Sequence, residues 1–440
     1  MRALDARRLR DLAVSDTGRA AGLAAAVIVS NVLALAFTVV FARILGSDYG
    51  SLAALVSAFI ILMVPGQALQ TTVAREVSAE LAAGDPAAGA GVKRWVFRLA
   101  VAGFAVLVVS ILARDLLAAA IAVEELPWAA AATLPTGVLW LILSVERGAL
   151  QGFQQYKTVG LSLAVQEAAR LLFGVLLVLM VSGDEAKVTG AFLGTPLALL
   201  ATGLWLVIPL RKHLPHARHA HEHPLRELIG RAAIPVMALG LVAWLQDGQV
   251  IVVNHLATDD NSSDYAAAAV AAKAIMWVAI GLSLYLVPEA ARRTLLGESA
   301  KGVLARTMGI IAAIATPMVL VYAVAGEPVL RIAFERSGAS DALPWLGLAM
   351  SMLALTYLAV QYQLALHKAW FIAVIALAAA AQPGAMIAIG GEELREIALV
   401  LLGLNAALAA AMVTLAFRAV GRAADISAEE ETAPGALTGV

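Results

Sequence analysis

Four ionisable side chains fall inside long apolar stretches of this sequence, where a charge is costly. They are Glu167 and Arg170 in one stretch, and Asp247 and Lys273 in two others. A charge at the centre of a membrane-spanning helix costs about 2.5–3.5 kcal/mol on insertion scales, so such residues face protein or water and pair with one another. Their chemistry is electrostatic, because cations bind anionic groups and carboxylates bind protons or cations.

Glu167 and Arg170 have the spacing of an ion pair on one helix. They are three residues apart, which places them on the same face. Arg170 lies eleven residues into its predicted span, about 16 Å deep. Two interpretations stay open: a structural ion pair, or a pair lining a cavity in which the guanidinium meets an anionic substrate.

Asp247 lies in a polar cluster with Gln246 and Gln249, and Asn254 returns to its face two turns later. The cluster is interpreted as an interhelical hydrogen-bond network, as a proton or cation site, or as the partner that holds Lys273. Lys273 either extends toward the outer membrane surface or lines a cavity, and a lysine can do both.

The composition places these residues in a membrane. The chain has 440 residues, of which 61% are hydrophobic and 14% charged, and its mean hydropathy is +0.85. A soluble protein cannot bury that much apolar surface. The net charge of −1 gives no reason to expect nucleic acid as a partner. We find no cysteine and no catalytic or cofactor motif, and we predict no metal site.

Hydropathy predicts twelve helical spans of the length that a bilayer requires. They lie near residues 20–41, 51–70, 96–113, 128–146, 159–181, 188–210, 233–254, 266–288, 306–325, 343–365, 371–390 and 396–417. A short helix on the outer surface is expected within 114–127. Most of the 31 Lys and Arg residues, Arg147 among them, fall in loops on one side, which predicts that both termini are cytoplasmic.

Short repeated motifs indicate two halves of the same topology. GRAA occurs at 18–21 and 230–233, and SDY at 47–49 and 263–265, each pair at corresponding places. Six spans per half makes the repeats parallel. The predicted domains are an amphipathic cytoplasmic segment, a six-helix bundle, a linker, a second bundle and a disordered tail, at 1–17, 18–210, 211–231, 232–418 and 419–440. The linker histidines (His213, His216, His219, His221 and His223) are interpreted as part of a solvated loop.

The stretch FARILGSDYGSLAALVSAFIILMVPGQALQTTVAREVS (41–78) resembles the polysaccharide transporter family of lipid-linked oligosaccharide flippases. DGQVIVVNHL, SDYAAAAVAAKAIMW and YLVPEAARR follow the same family's seventh and eighth spans in order. This family belongs to the multidrug/oligosaccharidyl-lipid/polysaccharide (MOP) exporter superfamily, which also holds lipid II flippases and multidrug extruders. The resemblance covers most of the chain and is sharpest over 18–80 and 240–293.

The resemblance implies an all-α membrane protein with two six-helix bundles in a V around a central cavity. It implies an alternating-access flippase in the bacterial cytoplasmic membrane, moving an oligosaccharide on an undecaprenyl pyrophosphate carrier. The implied partners are this lipid-linked substrate, membrane lipids and polysaccharide-assembly enzymes, with coupling to H⁺ or Na⁺ left open. On this pattern the phosphate-binding cations are Arg43, Arg75, Arg170 and Lys273, while Glu167, Gln246, Asp247, Gln249 and Asn254 are polar cavity or coupling residues.

Three alternatives remain at this stage. A multidrug extruder of the same superfamily would bind organic cations through Asp247 and Glu167. A membrane glycan polymerase or ligase would need catalytic groups on an outer loop, where Arg331, Glu335 and Arg336 are the candidates. A structural scaffold would leave the depth of Arg170 unexplained.

Overall fold

The computed structural model describes residues 16–85, 87–214, 225–296, 298–390 and 393–419, and the regular structure in this part of the chain is helical. Residues 1–15 of the predicted surface segment, residues 215–224 of the linker and the tail from residue 420 lie outside the described residues. The linker histidines from His216 to His223 are among them.

The described residues of the first half form six long helices and one short one. In chain order they are α1 (Asp16–Leu45), α2 (Tyr49–Ala82), α3 (Gly91–Leu112), α4 (Arg114–Ile121), α5 (Pro127–Gly152), α6 (Tyr156–Met180) and α7 (Asp184–Arg211). A 3₁₀ turn at Gly46–Asp48 separates α1 from α2. The short helix expected within 114–127 is α4.

Six long helices are found among the described residues of the second half. They are α8 (Leu225–Leu256), α9 (Asp259–Leu295), α10 (Lys301–Phe334), α11 (Leu343–Ala365), α12 (Ile372–Ala385) and α13 (Leu394–Arg418). A π-helical turn at Met386–Gly390 extends α12 to the length of a span.

These helices are long and apolar enough to cross a membrane twelve times. Eleven continuous segments of the described chain meet that criterion, and the first of them, Ala25–Ala82, has 58 residues. A helix of that length would extend about 87 Å, far beyond a hydrocarbon core of about 30 Å. Because the 3₁₀ turn divides it into α1 and α2, it makes two crossings. The predicted all-α polytopic fold is confirmed.

The chain divides into two compact units, Met1–Val236 and Met237–Val440. In the first unit α5 is the central helix, because α2, α3 and α7 all pack on it. Helix α6 packs on α7 and on α1. The buried arginines of this unit, Arg147 and Arg170, lie on α5 and α6.

The second unit has the same packing order. Its fourth spanning helix, α11, is contacted by α9, α10 and α13, which are the second, third and sixth of that half. Helix α8 packs on α12 through Trp244, whose indole Nε1 donates a hydrogen bond of 3.1 Å to the carbonyl of Ala379. This arrangement agrees with the predicted parallel repeat, while the predicted domain boundaries stay predictions.

The observed helices extend past the predicted spans, and one difference matters for the site. The prediction ended the fourth span at residue 146 and placed Arg147 in a loop. The structure continues α5 to Gly152 and buries Arg147 completely. The hydropathy of the sequence falls at the adjacent charges Glu146 and Arg147, which is why the predicted span ends there. A helix continues past such charges as long as its backbone hydrogen bonds are made.

Helices α6 and α7 approach each other closely at a pair of glycines. A Cβ atom on Gly194 would lie 2.5 Å from the backbone nitrogen of Gly174 and 2.8 Å from the carbonyl oxygen of Arg170. Small residues allow such contact between membrane helices. The close approach brings Thr195, the next residue on α7, to the level of Arg170.

We expect Gly194→Val to force α6 and α7 apart. Overpacking of this kind costs about 1–3 kcal/mol, so the melting temperature of the purified protein in detergent should fall by several degrees. Gly403→Val is the matched control, because no neighbouring helix in the described part of the chain comes within 4 Å of a Cβ built there. Equal melting temperatures of the two variants would contradict the close contact.

Candidate functional site

In the first unit Arg170 joins three helices. Its Nη1 atom lies 3.4 Å from Oε2 of Glu167, one turn earlier on α6. Its Nε donates a hydrogen bond of 3.1 Å to Oγ1 of Thr195 on α7. The guanidinium also lies 3.9 Å from the ring centre of Phe37 on α1, a cation–π contact. Arg170 thus connects α6, α7 and α1 at one level.

The Arg170–Glu167 pair lies deep in the unit but keeps some solvent-accessible surface. Arg170 follows the first residue of α6 by fourteen positions, about 21 Å along the axis. The side chains of Arg170 and Glu167 retain 11% and 12% of their exposure. Gln166 donates to Oε1 of Glu167 at 3.1 Å, so both carboxylate oxygens have a partner. The predicted ion pair is present in the structure.

A second arginine, which the sequence analysis did not single out, lies on α5. Arg147 has no exposed surface, and its Nε and Nη2 atoms donate to the hydroxyl and the carbonyl oxygen of Ser162, each at 2.9 Å. Its guanidinium lies 5.6 Å from the Trp140 ring and interacts electrostatically with Glu146 and Glu167. Within the described part of the chain, Nη1 of Arg147 and Oε2 of Glu146 have no hydrogen-bond partner.

The sequence carried a signal for Arg147 that hydropathy overrode. Trp140 and Ser144 precede it by seven and three residues and therefore share its helix face. A face that continues from an aromatic residue through a hydroxyl to an arginine favours a buried cation over a loop residue.

In the second unit Lys273 and Asp247 form a direct ion pair between two helices. Nζ of Lys273 on α9 lies 2.5 Å from Oδ1 of Asp247 on α8. Gln246 donates a hydrogen bond of 3.0 Å to the other carboxylate oxygen. Asp247 is completely buried, whereas Lys273 keeps 7% of its surface exposed. The cation is therefore the more accessible member of the pair.

A neighbouring amide, Gln249, links this pair to a second residue of α9. Gln249 donates to the carbonyl of Gln246 at 2.8 Å and accepts a hydrogen bond of 2.6 Å from the hydroxyl of Tyr265 on α9. Asn254 is half-buried further along α8. The structure thus brings Gln246 and Gln249 into one network with Asp247 and Lys273.

The two remaining predicted cations, Arg43 and Arg75, are exposed and lie on α1 and α2. Arg43 lies in the last turn of α1, and Arg75 lies in the last third of α2. Both side chains are exposed within the described structure. Their predicted contact with a substrate stays a prediction.

The described residues contain no group of three or more histidine, aspartate or glutamate side chains placed to hold a metal ion. What the buried groups can do is electrostatic. A guanidinium has five N–H donors and an ammonium three, so Arg170 and Lys273 keep donors beyond those directed at their carboxylates.

Comparison with known proteins identifies the fold. No family model and no curated protein matches this sequence. Solved structures do, among them an inward-facing multidrug resistance MATE family transporter of the MOP superfamily. It is 12% identical with a TM-score of 0.73, and the match covers 92% of this chain and 96% of that one.

Two further structures match over nearly their whole length. A MOP superfamily transporter from Pyrococcus furiosus, described as having a binding pocket of reverse polarity, is 14% identical with a TM-score of 0.65, covering 94% of this chain and 97% of that one. The lipid II flippase MurJ, in an inward closed conformation, is 13% identical with a TM-score of 0.65, covering 90% and 87%. This chain therefore has the fold of these transporters and of the flippase, as predicted, and at 12–14% identity the matches show the fold alone.

We expect the Asp247–Lys273 pair to show strong coupling in stability. Lys273→Met leaves a buried carboxylate without its cation, which costs about 3–5 kcal/mol, whereas Asp247→Leu combined with Lys273→Met removes both charges and costs less. The measurement is a double-mutant cycle by thermal unfolding in detergent. The exposed pair of Asp184 and Lys187, 2.8 Å apart, is the control and should show little coupling. Additive effects at Asp247 and Lys273 would exclude the pair as a stabilising contact.

Proposed function

We propose that this chain is a membrane transporter that moves a lipid-linked oligosaccharide of the undecaprenyl-pyrophosphate type across the cytoplasmic membrane. It alternates access between the two membrane faces and needs no catalytic group. Arg170 and Lys273 bind the phosphate groups, with Arg43 and Arg75 as further cationic contacts. The fold shared with transporters and a flippase supports the general activity, and the buried charges support the substrate class.

The observation that carries the proposal is the asymmetric burial of the Lys273–Asp247 pair. Asp247 is completely enclosed, while the ammonium of Lys273 is the member with exposed surface. A pair built to receive a cation would instead expose its carboxylate. An anionic group can approach Lys273 and accept charge-assisted hydrogen bonds without displacing Asp247.

Charge balance gives the second support. Arg170 and Lys273 are each paired with a carboxylate, so both charges are neutralised in the absence of substrate. A pyrophosphate cannot cross hydrocarbon unaided, and it needs donors that are held in place before it arrives. The contacts of Arg170 with Thr195 and Phe37 fix its guanidinium in this way.

A cation-coupled multidrug extruder is the second candidate. It is supported by the match to a multidrug resistance transporter and by Glu167, whose carboxylate retains 12% of its exposure beside Arg170. In that case Asp247 and Glu167 would bind an organic cation or the coupling H⁺ or Na⁺, and Lys273 would hold the site neutral between cycles.

We expect two charge-neutral double variants to lose glycolipid translocation while remaining folded. Glu167→Gln with Arg170→Gln, and Asp247→Asn with Lys273→Met, remove a phosphate-binding cation without leaving an unpaired charge. Loss of one hydrogen bond to a charged group reduces binding about tenfold or more. The assay is translocation of an undecaprenyl-pyrophosphate-linked glycan in proteoliposomes, with Asp184→Asn and Lys187→Met as the matched exposed-pair control.

If the wild type translocates the glycolipid and both double variants do so at the same rate, the two ion pairs have only a structural role. The extruder is tested in the same vesicles with a fluorescent organic cation. If the wild type moves that cation and no glycolipid, and if Arg170→Gln raises the cation flux while Glu167→Gln lowers it, the chain is an extruder.

A further inference from the structure

A cavity of about 490 Å³ opens in the first unit, at the end where α5 and α7 finish and α3 begins. Its walls are apolar side chains of α3 and α7, among them Val96 and Val207, and its charged residues are Lys93, Arg211 and Glu146. Lys93 and Arg211 are exposed, whereas Glu146 is only 2% exposed. The cavity is distinct from the Arg170 and Lys273 sites.

Glu146 is unsatisfied in this cavity. Its Oε2 atom is buried and has no hydrogen-bond partner within the described part of the chain. Gly203 on α7 lies beside that oxygen, since a Cβ built there would lie 3.4 Å from Oε2. Buried carboxylate oxygens in folded proteins have donors. Glu146 therefore needs a donor from a group that enters the cavity.

The charges of the cavity select the kind of group. Lys93 and Arg211 repel a simple cation before it reaches Glu146, and Glu146 repels a simple anion. A zwitterion with an ammonium at one end and a phosphate at the other satisfies all three residues. Exposed apolar side chains beside the lining residues, Phe97 on α3 and Ile208 on α7, offer a surface for hydrocarbon chains.

We propose that this cavity binds the headgroup of an aminophospholipid. The primary ammonium donates to Glu146, the phosphate lies between Lys93 and Arg211, and the acyl chains follow the exposed faces of α3 and α7. Gly203, beside the carboxylate, and Arg211 are eight residues apart, about 12 Å along α7. Side chains on a helix lean toward its N-terminus, so the guanidinium of Arg211 lies closer to Glu146 than the backbone of Arg211 does. An ethanolamine phosphate can span the remaining distance.

This site is separate from the transported substrate, and it can be tested without a transport assay. The full chain in detergent is titrated with phosphatidylethanolamine, phosphatidylcholine and phosphatidylglycerol of identical acyl chains, and bound lipid is counted by native mass spectrometry. We expect phosphatidylethanolamine to bind about tenfold more tightly than the other two, because a trimethylated ammonium donates no hydrogen bond and a glycerol headgroup has no charge for Glu146.

Glu146→Gln should abolish this preference, and Glu124→Gln, at an exposed carboxyl, should preserve it. The amide is expected to fold, because Gln363 lies at the corresponding place of α11, each being 19 residues after a proline at the start of its helix, Pro127 or Pro344. Should Glu146→Gln fail to fold, Lys93→Gln with Arg211→Gln changes only exposed residues and should weaken binding of all three lipids.

Three results would overturn the proposal. Equal affinity for the three lipids, unchanged by Glu146→Gln, would mean that the cavity does not select a lipid headgroup. Competition by soluble O-phosphoethanolamine as strong as that by the lipid would assign the site to a free metabolite. Binding of a long-chain alkylamine that is as tight as that of phosphatidylethanolamine and insensitive to Lys93→Gln with Arg211→Gln would remove the phosphate from the site.

Discussion

The structure depends on one constraint, which is that a charge inside an apolar helix bundle must have both a counter-charge and hydrogen-bond partners. Removing a charged group from water costs several kcal/mol, and only a close partner offsets that cost. Arg170 therefore has Glu167 and Thr195, and Lys273 has Asp247. Each of these pairs is neutral, so a helix can carry its charge into the membrane and still fold.

The same constraint explains where helices approach most closely. Hydroxyl groups on short side chains reach a guanidinium only if the backbones are near each other. Gly194 and Gly174 bring α7 against α6, and this contact places the hydroxyl of Thr195 3.1 Å from Nε of Arg170. Arg147 on α5 donates to the hydroxyl of Ser162 on α6 at 2.9 Å. At Arg170, small residues and a buried arginine thus belong together, because close packing supplies a hydrogen bond that water cannot.

The fold was largely predictable from the sequence, while the contacts of the site were predictable only within one helix. The number and order of spans follow from apolar length, and the Glu167–Arg170 pair follows from a spacing of three residues. The partnership of Lys273 with Asp247 was one of several interpretations, since it joins residues 26 positions apart on different helices. The roles of Thr195 and Phe37 could not be read at all, because which helix packs on α6 is a property of the tertiary structure.

Arg147 shows why contacts between helices could not be predicted from the sequence. The hydropathy of the sequence falls at the adjacent charges Glu146 and Arg147, so the predicted span ended there, although the prediction kept Arg170 inside a span. Arg147 is buried because α5 is the central helix of its unit, with neighbours on several sides. The residue before it, Glu146, corresponds to Gln363 on α11. Gln363 is also buried, and within the described residues its side-chain amide has no hydrogen-bond partner. An amide needs no counter-charge at that position, whereas the carboxylate of Glu146 has the guanidinium of Arg147 beside it. The two central helices therefore share a position for a buried polar group, and only the first unit has made that position charged.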